Sequence, residues 1–192
     1  MWDPETDQKI DDQTNSVWYF GQNGGLNFNP TLTTRMELSP AQWKTLVGWN
    51  LPAGTTTISD QTGQVLFYTD GQTVWDLNGN VMEGGQDIGG DNSSSQSVVA
   101  VPIPQEESLY YLFTTESASG GSNQVKFSLV DIKGENPSGV GSVVSGDNFL
   151  FSPGTEQAAA LTAGDTTWMM FHEMGNNSFR AYPITMRELG NP

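Results

Sequence analysis

The sequence predicts a mostly β protein, a β-propeller-like array of about three antiparallel blades with one short inserted helix, and three observations carry that expectation. Glycine is frequent (22 of 192 residues), and the abundant Asn, Ser, Thr and Gln with few charges favour short strands joined by turns. Three apolar segments share one plan: Leu66-Phe67-Tyr68-Thr69-Asp70-Gly71, Leu112-Phe113-Thr114-Thr115-Glu116-Ser117 and Met170-Phe171-His172-Glu173-Met174-Gly175. Their phenylalanines are 46 and 58 residues apart, and a further strand-like run precedes and follows each, as in a blade repeat of roughly 40 to 50 residues.

Taken in order, residues 1–16 are polar, acidic and unpatterned and read as an N-terminal arm. Residues 17–192 read as a single domain. Val17 to Phe20 and Leu26 to Asn29 are short aromatic-rich strands around Gln22-Asn23-Gly24-Gly25, and residues 17–29 supply closing strands. Ser39-Pro40-Ala41-Gln42 starts a brief helix, with Ser39 as N-cap, Pro40 at the first helical position and Gln42 as the capping-box partner. Trp43, Leu46 and Val47 keep helical spacing until Gly48 and Pro52 end it.

The repeat units span about 54–92, 93–152 and 153–187. In the first, Thr55 to Asp60 is a half-polar strand, and Val65 to Thr69 is apolar on successive residues and so buried on both faces. Asp70-Gly71 is a tight two-residue hairpin turn into Thr73 to Asp76. Ser97 to Ile103 and Val125 to Val130 flank the second middle strand; Ala158 to Thr162 and Phe179 to Ile184 flank the third. Three blades fall short of the four to eight of a closed propeller. Either the natural protein continues beyond Pro192, or the chain self-associates into a ring, or the units form a sandwich.

Charge restricts the function classes. The formal charge of −15 comes from 22 acidic and seven basic residues, with no basic cluster, so the surface repels phosphate backbones and anionic lipid. No nucleic-acid partner is expected, and no segment has the 18 consecutive apolar residues of a membrane-inserted helix. Cysteine is absent, which removes disulfides and thiolate metal sites. The N-terminus has neither the positive nor the apolar region of a secretory leader, so a leader was removed or the protein reaches its site without one.

Several stretches resemble the N-terminal propeller-type region of large surface proteins of Bacteroidota associated with gliding motility or type IX secretion. The residues that carry the resemblance are Trp18-Tyr19-Phe20-Gly21 with Gly25-Leu26-Asn27-Phe28, Ile58-Ser59-Asp60, Leu66 to Gly71, Val74-Trp75, Ser94-Ser95-Gln96-Ser97, Tyr110 to Thr114, and Trp168, His172, Phe179 and Tyr182. The chain departs from that pattern in having Ala53 where a Glu is frequent, and Glu156-Gln157 in place of a Glu-Lys pair. The resemblance implies a non-catalytic module for adhesion, recognition or assembly, exposed outside the cell or on its surface. A structural protein of a phage virion (fibre, tail or capsid decoration) is the alternative, since a starting Met without a leader suits it. A carbohydrate-active enzyme is the lesser alternative.

Candidate chemistry is sparse. His172 is the sole histidine, and no G-x-S-x-G elbow, second zinc-protease histidine or phosphate-binding loop accompanies it. As a strand residue beside Phe171 it reads more simply as a packed or edge histidine. Glu156 and Glu173 lie at strand ends, where a glycosidase pair could face one another. Asp76, Asn78 and Asn80 alternate oxygen side chains in a way that fits Ca²⁺, the one cofactor considered, and Asp87 and Asp91 form a second such group; Asn78-Gly79 is more simply a hairpin turn. Trp43 and Trp49, flanking the helix, are the contact candidates for a glycan or a protein partner.

Overall fold

The computed structural model describes residues 2–3, 8–9, 17–20, 24–27, 54–119, 121–136, 139–186 and 188–192. Every regular element among them is a β-strand. The expected helix with Trp43 and Trp49 lies outside the described residues, as does most of the arm. Near the N-terminus, β1 (Trp2–Asp3) pairs with β2 (Gln8–Lys9). A hairpin of β3 (Val17–Phe20) and β4 (Gly24–Asn27) follows.

The first unit is the antiparallel meander β5 (Thr56–Ser59), β6 (Val65–Thr69), β7 (Thr73–Asp76) and β8 (Val81–Gln86). The second is β9 (Val98–Pro102), β10 (Leu109–Thr115), β11 (Val125–Asn136) and β12 (Gly139–Phe151). They join into one eight-stranded sheet because β8 pairs in parallel with β12 at Glu83 and Ser142. Its two edge strands, β5 and β9, approach one another, where Thr56 Oγ1 donates to the Val98 carbonyl at 2.9 Å, so the sheet is nearly closed and barrel-like. The third unit is a separate three-stranded sheet of β13 (Gly154–Ala163), β14 (Thr166–Glu173) and β15 (Phe179–Ile184). After β15 the chain folds back, with Leu189 bridging Ile184 and Gly190 N–H donating to the Pro183 carbonyl at 2.8 Å.

The tight turns use one device twice. Asp60 Oδ1 accepts the Thr62 and Gln64 N–H groups, and Asp76 Oδ1 accepts those of Asn78 and Asn80, all at 2.8–3.0 Å. In each case the Gly three residues on donates its N–H to the Asp carbonyl, closing a three-residue loop with one extra residue bulged. The expected two-residue turn at Asp70-Gly71 is instead a longer one between the paired Thr69 and Val74. Gly71 takes φ of +88° while Asp70 does not share that conformation, and Asp70 Oδ1 accepts the Gln72 and Thr73 N–H groups.

Two clusters of buried side chains hold the units face to face. Between the first and second lie Ile58, Phe67, Val74 and Met82 against Val98, Leu112, Val130 and Val143. Between the second and third, Val101, Phe113, Val125 and Phe151 meet Ala158, Met169, Phe171 and Tyr182. Successive residues of a strand point to opposite faces, so β10 sends Leu112 back to the first unit and Phe113 forward to the third. Both are essentially fully buried, and the Phe113 and Phe171 rings meet edge to face at 5.8 Å.

Aligning the three phenylalanines misplaces one of them. Phe67 and Phe113 face the following unit, whereas Phe171 faces the preceding one. A one-residue slip exchanges the faces of a strand, so the forward-facing residues of β14 are Trp168, Met170 and His172. The burial on both faces expected of Val65 to Thr69 does not extend to β14, the corresponding strand of the third unit, where Trp168 remains 38% exposed.

Candidate functional site

The polar side chains that sequence reading singled out serve mainly the protein's own backbone. Glu156, near the start of β13, accepts the Ser95 N–H on Oε2 at 2.6 Å and the Ala118 N–H on Oε1 at 2.7 Å. Those two N–H groups belong to loops flanking β9 and β10, so this carboxylate ties the third unit to the second. The Ala118 N–H, then the Ser95 N–H and hydroxyl, hold its pKa below the ordinary glutamate value, against the opposing effects of desolvation and, after it, of Asp91.

Glu173 belongs to a different network. Its Oε2 accepts from Asn176 Nδ2 at 2.8 Å and its Oε1 from Arg180 Nε at 2.6 Å; Asn176 first and Arg180 second lower its pKa. Arg180 also lies over the Phe151 ring at 4.8 Å, which anchors the pair to the core. Glu156 and Glu173 therefore have separate partners and do not share a proton network. His172 lies on the opposite face of β14, with its ring 4.8 Å from Phe179.

The calcium candidates are likewise occupied by local bonds. Besides its turn bonds, Asp76 places Oδ2 3.4 Å from Asn80 Nδ2 and from the Val140 N–H, while Asn78 and Asn80 are exposed. Asp91 Oδ1 accepts the N–H and hydroxyl of Ser93 at 2.8 and 2.7 Å, and Asp87 is exposed in the following loop of the first unit. Among the described residues no group of three or more His, Asp or Glu side chains converges on one point. No helix among them is long and apolar enough to cross a membrane.

The segment Ser94-Ser95-Gln96-Ser97 is where all three units meet, a role its polar composition did not disclose. Ser97 Oγ lies within hydrogen-bonding reach of the Gly54 and Asp70 carbonyls of the first unit. A Cβ at Gly54 (φ +95°) would lie 2.6 Å from Ser97 Oγ, and one at Gly71 would lie 2.9 Å from it, so both positions need glycine for space as well as conformation. Ser94 Oγ shares a hydrogen bond with Thr115 Oγ1 at 3.0 Å within the second unit. Ser95 and Gln96 reach the third unit, through Glu156 and through the backbone of Ala158.

The remaining candidate is a surface. On β13, β14 and β15 the register places Leu161, Trp168 and Pro183 in one row, Ala159, Met170 and Ala181 in the next, and His172 and Phe179 in a third. All point away from the second unit, and none carries a formal charge with His172 neutral. Leu161 and Phe179 are 58% and 71% exposed. The alternation in β14 could have revealed this face in the sequence, had Phe171 been assigned to the preceding unit.

No family model, curated protein or solved structure matches the chain.

Proposed function

We propose that this chain is a non-enzymatic module for recognition or assembly on a cell or particle surface, its three sheet units being stacked in the manner of propeller blades. The observation that carries the reading is a contrast between its polar and apolar groups. Glu156, Glu173, Asp60, Asp76 and Asp91 are bonded to backbone N–H groups or neighbouring side chains, while the outer face of β13, β14 and β15 keeps Leu161, Trp168 and Phe179 in solvent. Contiguous exposed apolar surface of that kind marks a contact site. The resemblance to Bacteroidota surface proteins supports an extracellular setting, and the charge of −15 disfavours nucleic acid and anionic lipid as partners.

The experiment is a hydrolysis assay on a broad glycan panel with the wild-type chain, Glu156→Gln and Glu173→Gln. No turnover above buffer is the expected result. Turnover that either substitution abolishes would overturn the reading in favour of a glycosidase.

A further inference from the structure

We propose that Lys126 and Asp147 condense into an intramolecular isopeptide bond between β11 and β12, with Glu116 carrying the protons. The strands β10, β11 and β12 are neighbours in one sheet, and they bring the three side chains together. Lys126 Nζ lies 2.8 Å from Asp147 Oδ1 and 3.8 Å from Glu116 Oε1. The Asp147 carboxyl carbon is one bond beyond the nearer oxygen, so the amine needs only a small rotation to meet it. Lys133 shows the contrast of an ordinary surface pair: it meets Glu107 at 2.9 Å with both side chains in solvent, 64% and 88% exposed.

Each of the three groups is held in place. Lys126 is only 17% exposed, because the loop after β8 presses its backbone on the side chain: a Cβ at Gly89 would lie 2.7 Å from Lys126 Cδ and would collide with Asp147 Oδ1 as well. Asp147 takes a φ of +54°, unusual for a residue with a side chain, and its N–H donates to Ser128 Oγ at 3.2 Å. Glu116 Oε2 accepts the Ser122 hydroxyl and, at 3.1 Å, the Gln124 N–H, which leaves Oε1 for the ammonium. Groups fixed in this way react at an effective concentration that a free amine and acid never reach in water.

The chemistry is a condensation, with no oxidation or reduction. The Lys126 ammonium gives one proton to Glu116, which passes it to the Asp147 carboxylate. The neutral amine attacks the Asp147 carboxyl carbon and a C–N bond forms. Glu116 takes a second proton from that nitrogen and delivers it to the departing hydroxyl. The C–O bond breaks, and one water leaves by the solvent side of Asp147, which is 54% exposed. Ammonium and carboxylate have become amide and water, and Glu116 ends as it began.

The bond pins β12 to β11 where register shifts interrupt their pairing. β12 also joins the second unit to the first through β8, so the tie sits where the eight-stranded sheet is assembled. The chain has no cysteine with which to make a disulfide there.

The test is intact-mass spectrometry of the full chain, denatured after incubation in the folded state, with Lys126→Arg, Asp147→Ala and Glu116→Gln alongside. The expected wild type is lighter than its sequence by one water, and its tryptic digest holds a fragment joining the Lys126 and Asp147 peptides. All three variants should keep their full sequence mass. Lys126→Arg retains the positive charge and Glu116→Gln retains an acceptor for Ser122 and Gln124, so both should fold. A wild-type chain at its full sequence mass overturns the proposal and leaves Lys126 as an ion pair. A water loss that survives Lys126→Arg also overturns it, because dehydration at an Asp-Gly step such as Asp70-Gly71 then accounts for the change. A loss that survives Glu116→Gln overturns the part given to Glu116.

Discussion

Gln96 takes the place of a strand partner for Ala158: its Nε2 donates to the Ala158 carbonyl at 2.8 Å and its Oε1 accepts the Ala158 N–H at 3.0 Å. A single carboxamide thus satisfies both backbone groups of one residue on the edge of β13, and does so from a neighbouring unit. Thr56 does a simpler version of the same, reaching from the first unit to the Val98 carbonyl in the second. Polar side chains just before or within the first strand of each unit close the seams that the apolar clusters leave.

Gln96→Ala leaves the Ala158 N–H and carbonyl without this partner and should cost about 1–3 kcal/mol of stability in urea unfolding. Gln96→Glu keeps the acceptor for the N–H but sets a carboxylate oxygen against the Ala158 carbonyl. It should fall at or below the alanine variant at neutral pH.

Gly71→Ala should destabilise by more than the usual ~1 kcal/mol of a glycine replacement, because φ of +88° and the approach of Ser97 both oppose a side chain. Adding Ser97→Ala removes the Oγ contact but not the backbone strain. Because Ser97→Ala also loses the hydrogen bonds to the Gly54 and Asp70 carbonyls, the double variant should cost less than the sum of the two single ones, and denaturant midpoints of the four proteins give the coupling directly.

Phe113→Ala and Phe171→Ala should each cost about 3–5 kcal/mol, as for other fully buried aromatic side chains. Their rings are in contact at 5.8 Å, so the double substitution should cost less than the sum. Strict additivity would mean that β14 does not pack on β10.

Glu156 gives a pH dependence of known sign. Its pKa is lower in the folded protein than the ordinary 4.5, so its contribution is present above that value and is lost as pH falls through the lower, folded one. Glu156→Gln should therefore be less stable than wild type at neutral pH, and the difference should shrink on acidification below about pH 4.5. A difference that is constant from neutral to acid pH would show that the charge has no part in holding Ser95 and Ala118.

The strands whose own residues decide their burial were legible in the sequence. Val65–Thr69, Thr73–Asp76 and Phe179–Ile184 form with the bounds their β-branched and aromatic content predicts, and the Asp60 and Asp76 turns follow from Asp, Asn and Gly chemistry. β12 was not legible. Gly139, Gly141, Gly146, Asp147 and Asn148 disfavour a strand, and several register shifts let it pair with β11 all the same. Its parallel pairing with β8 leaves no local signal. Facing was the other loss, since nothing in Met170-Phe171-His172 says which neighbour each residue meets. The joining role of Gln96 and Glu156 was hidden because their partners are backbone groups 62, 61 and 38 residues away, which residue type does not disclose.

The most direct test of the account is ¹⁹F NMR of the chain labelled with 5-fluorotryptophan, with Trp75 and Trp168 assigned by Trp75→Phe and Trp168→Phe. Trp168, on the outer face of β14, should shift between H2O and D2O and broaden on adding a soluble paramagnetic relaxation agent, while Trp75, stacked on Tyr68 and nearly buried, should do neither. A Trp168 resonance that is indifferent to both would contradict the claim that the outer face of the third unit is the working surface.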